Sequence, residues 1–274
     1  MTLRALLALV LGLLSTAGFS AETKIHWYGH AAFRIETPNG GVILIDPNLK
    51  LPTNPDKDSV EKLDRVDYIL LTHGHADHVG QTVEIGKKTG AVLIAPYGLQ
   101  FVMKSVLGYP PNQATAATGG NVGGTFDLPK AKARVTVVHA IHGSELTPPS
   151  IPAPTTPGQS DTISAGNPVG YVIEIEGGPT IYHTGDTEVY QDMRLISEFF
   201  KVDVMLACIG AHYTMGPAHA ALATQLVNPK KVVPIHYGTF PLLTGTPEQF
   251  RDELAKRKVP SELVIMKPGE TRSF

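Results

Sequence analysis

This chain has one cysteine in 274 residues, one tryptophan, and no run of lysine or arginine. A lone thiol cannot close an internal disulfide, so the fold relies on its core and on any metal it holds. Cys208 sits in the apolar run Val204–Ile209, which reads as a strand, so an inert buried thiol is expected rather than a nucleophile or ligand. With 23 basic against 25 acidic residues, the formal net charge is −2. Neither that balance nor any basic tract attracts a polyanion, so no nucleic-acid partner is expected. Nor is there an apolar run of about 20 residues, the length a membrane span requires. No repeat of fixed period is present.

The first twenty residues have a different character. Arg4 gives a positive start, Ala5 to Leu14 form a short apolar run, and Gly18-Phe19-Ser20 places small residues before Ala21. That is the anatomy of a cleaved secretory signal, with an uncleaved anchor as the alternative. An exported protein, periplasmic or secreted and without a stable membrane anchor, is the expectation. Residues 21–274 are read as one domain, because 42% hydrophobic content supports a sizeable core.

What is abundant is histidine in one place. Thr72-His73-Gly74-His75-Ala76-Asp77-His78 packs three imidazoles and a carboxylate into six positions. Such a cluster is costly to bury unless a cation compensates it. The preceding run Val66–Leu71 reads as a buried strand, so the cluster falls where a strand turns into a helix, a usual place for chemistry in α/β proteins. Three further polar residues end apolar runs beside glycines: His142, Asp186 and His236. His139 lies three positions before His142, and in an extended chain the two face opposite sides, so only one can meet a metal.

Strands are expected over 24–27, 32–36, 42–46, 66–71, 91–95, 134–139, 171–176, 180–183, 202–209, 231–236 and 263–266. Helices are expected from the metal motif through Lys88 and over 97–107, 192–200, 217–227 and 247–258. Hairpins and strand–helix units alternate in both halves, which predicts two mixed sheets packed together with helices outside. Residues 144–168 contain Pro148, Pro149, Pro152, Pro154, Pro157 and Pro168, a composition read as one long irregular loop, either disordered or a flap beside the site.

The ordered set T-H-G-H-A-D-H, A-I-H-G-S, H-T-G-D-T and I-H-Y-G-T-F resembles the metallo-β-lactamase superfamily. W-Y-G-H-A-A-F, A-H-Y-T-M-G-P and the terminal K-P-G-E are similar to one branch of it. That branch is the small metal-dependent hydrolases related to L-ascorbate-6-phosphate lactonase and, more distantly, to N-acylphosphatidylethanolamine phospholipase D. The resemblance runs from about residue 24 to the C-terminus and implies an αββα four-layer sandwich.

It also implies a dinuclear site. His73, His75 and His142 would hold one divalent ion, Asp77, His78 and His236 the other, and Asp186 would bridge them. A ligand set of nitrogen and oxygen suits zinc, with manganese or iron equally compatible. A metal-bound hydroxide would then cleave a lactone, ester, amide or phosphodiester of a small molecule. Asp77 and His212 receive catalytic roles, and His30 and His212 are candidate substrate contacts, each otherwise a structural histidine bonded to nearby carbonyls. Asp46 is expected to support the metal loop rather than ligate. His139 and His183 are read as core or supporting histidines and His219 as an exposed helix residue, with Trp27 and Tyr28 in the core.

Three other readings stand beside hydrolysis of a small molecule. One is a nuclease or phosphodiesterase of the same superfamily, which the acidic chain disfavours. Another is a non-catalytic exported zinc-binding protein. The third is redox chemistry on iron, whose branch carries Glu where His75 stands here. The export signal and the long Pro-rich segment depart from the branch pattern, so the phosphorylated-lactone activity is not carried over. Sequence does not fix oligomeric state, and a homo-oligomer is compatible with it.

Overall fold

A computed structural model of the chain describes residues 22–147 and 161–274. The amino-terminal signal reading and residues 148–160 lie outside the described residues. Two seven-stranded sheets dominate. In the first, the carboxy-terminal strand Glu270–Ser273 pairs antiparallel with Lys24–Gly29, which is followed by Ala32–Glu36 and Val42–Ile45. Tyr68–Leu70, Val92–Pro96 and the short Gly119–Gly120 then continue it in parallel. The second sheet mirrors this plan. Thr125–Leu128, Ala133–His139, Val169–Ile175 and Thr180–His183 run antiparallel, and Val204–Cys208, Lys231–Ile235 and Glu262–Leu263 extend it in parallel.

Side chains alternate across a strand, and in the first sheet that alternation sorts them between two cores. Ile43, Ile45, Tyr68, Leu70 and Ile94 face the second sheet, where Val135, Val137, Tyr171 and Ile173 meet them in one cluster. Leu44, Ile69, Leu71 and Leu93 point the other way, against Ile85, Leu99, Val102 and Met103 of the outer helices Thr82–Thr89 and Tyr97–Ser105. Both faces are apolar, which is why these parallel strands read as unbroken hydrophobic runs. Helices Pro217–Val227 and Pro247–Lys256 cover the second sheet with Ala220, Ala223, Phe250 and Leu254. The layers are therefore helix, sheet, sheet, helix, as the sequence predicts.

Two sequence expectations need correction, and one strand has no counterpart among them. The helix after the metal motif is broken into Ala76–Val79 and Thr82–Thr89, because Gly80 adopts φ +39° and lies where a Cβ would sit 2.3 Å from the Asn48 Cα. Residues 144–168 are not wholly irregular: Glu145–Leu146 pairs antiparallel with Ile163–Ser164. The strand Glu270–Ser273 has no apolar alternation and gives no signal of its own; it is an edge strand with mostly exposed side chains.

Candidate metal centre

Polar residues collect where strands of both sheets end. Asp46 follows Val42–Ile45, the histidine motif follows Tyr68–Leu70, and His142 lies just beyond Ala133–His139. Asp186 comes after Thr180–His183, and His236 directly after Lys231–Ile235. Backbone bonds join these loops: Thr72 O accepts from Val169 N at 3.0 Å, and His30 O accepts from His236 N at 3.0 Å.

Asp186 Oδ2 lies at the middle. It is 3.0 Å from His236 Nε2, 3.3 Å from His78 Nε2, 3.6 Å from His142 Nε2 and 4.0 Å from His73 Nε2. On one side, His73 Nε2 and His142 Nε2 approach His75 Nδ1 at 2.9 and 3.2 Å. On the other, Asp77 Oδ2 lies 3.9 Å from both His78 Nε2 and His236 Nε2. The donor atoms of His73, His75 and His142 lie within 4.8 Å of one another, as do those of Asp77, His78, His236 and His30. Every residue expected to ligate is thus brought to one place.

Supporting hydrogen bonds decide which nitrogen faces the cluster. Asp46 is fully buried; its Oδ1 accepts from Thr72 N (2.8 Å), and its Oδ2 accepts from Thr72 Oγ1 (2.7 Å) and His78 Nδ1 (2.8 Å). With its hydroxyl proton committed to Asp46, Thr72 accepts from His73 Nδ1 at 2.9 Å. Both rings therefore carry their proton on Nδ1 and turn Nε2 inward, the arrangement a histidine ligand needs. His75 is reversed, with Nε2 toward Glu145 Oε2 at 3.3 Å and Nδ1 inward. His30 donates from Nε2 to Asp77 Oδ2 and accepts at Nδ1 from Thr239 Oγ1, both at 2.9 Å.

The electrostatics fit a cation. Burial alone would raise the Asp186 carboxyl, but the His236 and His78 imidazoles outweigh it and hold that group well below the usual carboxylate range. Asp77 is lowered in the same way: burial opposes, and His78 and His30 win. Burial, reinforced by neighbouring His78, pushes His73 well down, and burial with His236 beside it brings His30 to about 4. Burial also works against a charge on His78, yet Asp186, Asp46 and Asp77 together raise it well above its ordinary value, so a metal at Nε2 would take the place of a proton held there by the same carboxylates. Among the described residues, His78 Nε2, both ring nitrogens of His236 and Asp186 Oδ1 are buried without a hydrogen-bond partner. Buried polar atoms without partners are expensive, and a positive ion would satisfy those that present a lone pair to the cluster, so these residues suit a metal.

Residues 42–237 match the beta-lactamase superfamily domain. The chain belongs to that superfamily. Within it, a UPF0173 metal-dependent hydrolase of Thermodesulfovibrio yellowstonii is 47% identical over 264 residues, covering 96% of each chain. Another, from Archaeoglobus fulgidus, is 40% identical and covers 92% of this chain and 99% of the relative. A solved metallo hydrolase from the hyperthermophilic archaeon Ignicoccus hospitalis superposes with TM-score 0.77 at 30% identity, covering 92% of this chain and 98% of that one. The protein is a metal-dependent hydrolase of the beta-lactamase superfamily.

Other sequence-singled residues fall as follows. Asp46 supports the loop through the bonds above. His30 is buried and bonded to Asp77, and it is not among the residues lining the cavity beside the cluster. A positive φ of 55° turns it inward from the bend between the first two strands. His212 is exposed, packs edge-on against Tyr213 at 4.4 Å and also stays off the cavity wall, which Tyr213 forms instead. His139 is exposed against Tyr190 rather than in the core or behind a ligand. His183 is buried, donating to Ala31 O and accepting from Gly185 N. His219 is exposed on its helix and pairs with Glu188.

Sequence reasoning missed Thr72, Thr239 and the apolar wall formed by Tyr213, Phe240, Pro241, Leu242 and Leu243. The wall had a signal: an apolar run just after His236, in a Gly- and Pro-containing stretch that is no helix or strand.

Proposed function

We propose that the cluster holds two divalent ions, zinc by donor chemistry and manganese or iron by compatibility, and hydrolyses a lactone, ester, amide or phosphodiester of a small molecule. His73, His75 and His142 would hold one ion, Asp77, His78 and His236 the second, and Asp186 would lie between. Ions in that position lower the pKa of water toward neutrality and polarise a substrate oxygen. The observation that carries this reading is the placement of Asp186 Oδ2 within 4.0 Å of four imidazole Nε2 atoms drawn from both sheets.

The chain's own groups have definable tasks. Asp46 and Thr72 keep His73 and His78 in the tautomer that presents a lone pair. Asp77 has its Oδ2 tied by His30, and its side chain is 28% exposed on the cavity, where it would orient the attacking water. Asp186 and His236 stand on the same wall as ligands of the proposed centre. His212 has no such station, and Asp77 is the catalytic side chain of this proposal.

The test is metal analysis of protein purified without added metal, joined to turnover of a generic ester, lactone and phosphodiester. Two ions per chain with turnover, cut at least about 10²-fold in His73→Ala and Asp186→Asn, support it. Full loading without turnover on that panel turns the reading to a non-catalytic metal-binding protein.

We also propose that the protein is exported. The supporting feature is the order of Arg4, the apolar stretch Ala5–Leu14 and the small residues before Ala21. Amino-terminal sequencing after expression with residues 1–20 present checks it; a mature chain beginning at Met1 in the cytoplasm refutes it.

A further inference from the structure

The cavity beside the metal cluster has two unlike walls. His75, Asp77, His142, Asp186 and His236 form one; Tyr213, Phe240, Pro241, Leu242 and Leu243 form the other. Its volume is about 670 Å³, within the range of small-molecule sites. No lysine or arginine lines it among the described residues. The stretch 147–160 contains no charged residue of either sign, so it brings no cation wherever it lies. The charged side chains bonded around the cluster's histidines include the carboxylates of Asp77, Asp186, Asp46 behind His78, and Glu145 on the outer nitrogen of His75.

The apolar wall is open to solvent. Tyr213 is 54% exposed, Leu242 49% and Phe240 37%. Large apolar side chains grouped and exposed beside a polar cleft mark a binding surface rather than a core. Their placement is fixed. Leu243 N donates to Phe240 O and Gly238 N to Leu243 O, closing a turn that begins two residues after His236. The Phe240 ring meets the His30 ring edge-on at 5.6 Å. On the Tyr213 side, Tyr213 N donates to Ala211 O and Met215 N to Thr187 O, with Ala211 and His212 both at positive φ.

Resting on the hydrolytic reading above, we infer that the substrate is a neutral carboxylic ester or lactone whose non-reacting part is an uncharged apolar chain seated against Tyr213, Phe240 and Leu242. A remote phosphate or carboxylate seated against Tyr213, Phe240 and Leu242 would find no cationic side chain there among the described residues and would leave its charge on an apolar surface. An alkyl chain buries area against three hydrophobic side chains. In the reaction, water adds its oxygen to the carbonyl carbon, the acyl C–O bond breaks, and the alcohol departs carrying a hydrogen from water. The carboxylic acid is the other product, or one hydroxy acid where the substrate is a lactone.

Zinc-loaded protein is assayed with the p-nitrophenyl esters of acetate, butanoate, hexanoate and octanoate, and with the octanoyl chain capped by a terminal carboxylate. The expected result is a rise in kcat/KM of roughly two- to fourfold per methylene, cancelled by the terminal carboxylate. Leu242→Ala and Tyr213→Ala each flatten that dependence, whereas Phe199→Ala, exposed on a helix away from this cavity, leaves it as in the wild type. Calorimetric binding of octanoate against butanoate and suberate reads the same wall without turnover; octanoate is expected to bind tightest.

Equal rates along the series, tighter suberate than octanoate, or faster turnover of bis(p-nitrophenyl) phosphate than of the octanoyl ester would each overturn the inference. Cosedimentation of the apolar wall with neutral phosphatidylcholine vesicles, lost in Leu242→Ala and accompanied by no octanoate preference, would assign the surface to a lipid bilayer and overturn it too. Failure is separable from failure of the hydrolytic reading: a metal-loaded protein that cleaves nothing overturns hydrolysis, while octanoate binding still decides the wall.

Discussion

Asp46 touches no cavity, yet three hydrogen bonds end on it and two of the inward-facing rings take their tautomer from them. Asp46→Asn keeps the size but places an amide N–H against donors. The expected consequence is a metal affinity lowered about 10- to 100-fold with the fold retained, read by competition with a chelator. Unchanged affinity would remove Asp46 from the site's support. Cys208 makes the opposite case, a residue with reactive chemistry and no access. Burial pushes its thiol up to about 11, and its Sγ–H points at Thr187 O, so Ellman's reagent should leave it unmodified until the protein is unfolded.

His183, buried and not among the proposed ligands, is one residue that ties acid to stability. Both ring nitrogens are already used in the neutral form, and burial, against weaker help from Asp46, lowers its affinity for a proton. The native state therefore binds fewer protons than the unfolded chain once pH falls below the ordinary imidazole value of about 6.5. Stability from this group is complete above that pH and is lost on acidification toward the lower folded value. A urea midpoint that falls from pH 7.5 to 5.5, and falls less in His183→Gln, is the expected outcome.

At the scale of elements, the strands were legible because their faces are. Ile43, Leu44 and Ile45 are all apolar since both sides of that strand are covered, and Pro38-Asn39-Gly40-Gly41 turns the chain into it. The edge strand Glu270–Ser273 has no covered face, and its pairing with Lys24–Trp27 is a long-range fact that no local pattern carries. Backbone strain was equally silent. His30, Asp46 and His236 take positive φ without being glycine, which a sequence does not announce. The break at Gly80 belongs here as well. Gly80→Ala must adopt a positive φ and displace the Asn48 backbone, so a loss of at least about 2 kcal/mol in urea unfolding is expected, with weaker metal binding because residues 46–48 move.

Taken as a whole molecule, the chain contributes to the site from both of its similar halves. His73, His75, Asp77 and His78 follow a strand of the first sheet; His142, Asp186 and His236 follow strands of the second. Their order along the sequence made the set readable; of the wall opposite them only the apolar run after His236 shows, because the approach of Tyr213 to Phe240–Leu243 depends on the finished fold. A metal cluster so placed would bridge the two sheets at the edge where their loops meet. Ligands that bind only the native state stabilise it by mass action, about 2.7 kcal/mol at a hundredfold excess over Kd. For a domain of this size that corresponds to roughly 5–10 °C in Tm. Dialysis against a chelator should lower Tm by about that amount, and added zinc should restore it. In the double variant His73→Ala/His236→Ala, which removes a donor contributed by each sheet, Tm should respond little to either treatment. A wild-type Tm indifferent to chelator, in protein shown to have lost its metal, would mean that the cluster joins nothing and that the core between the sheets holds the halves together alone.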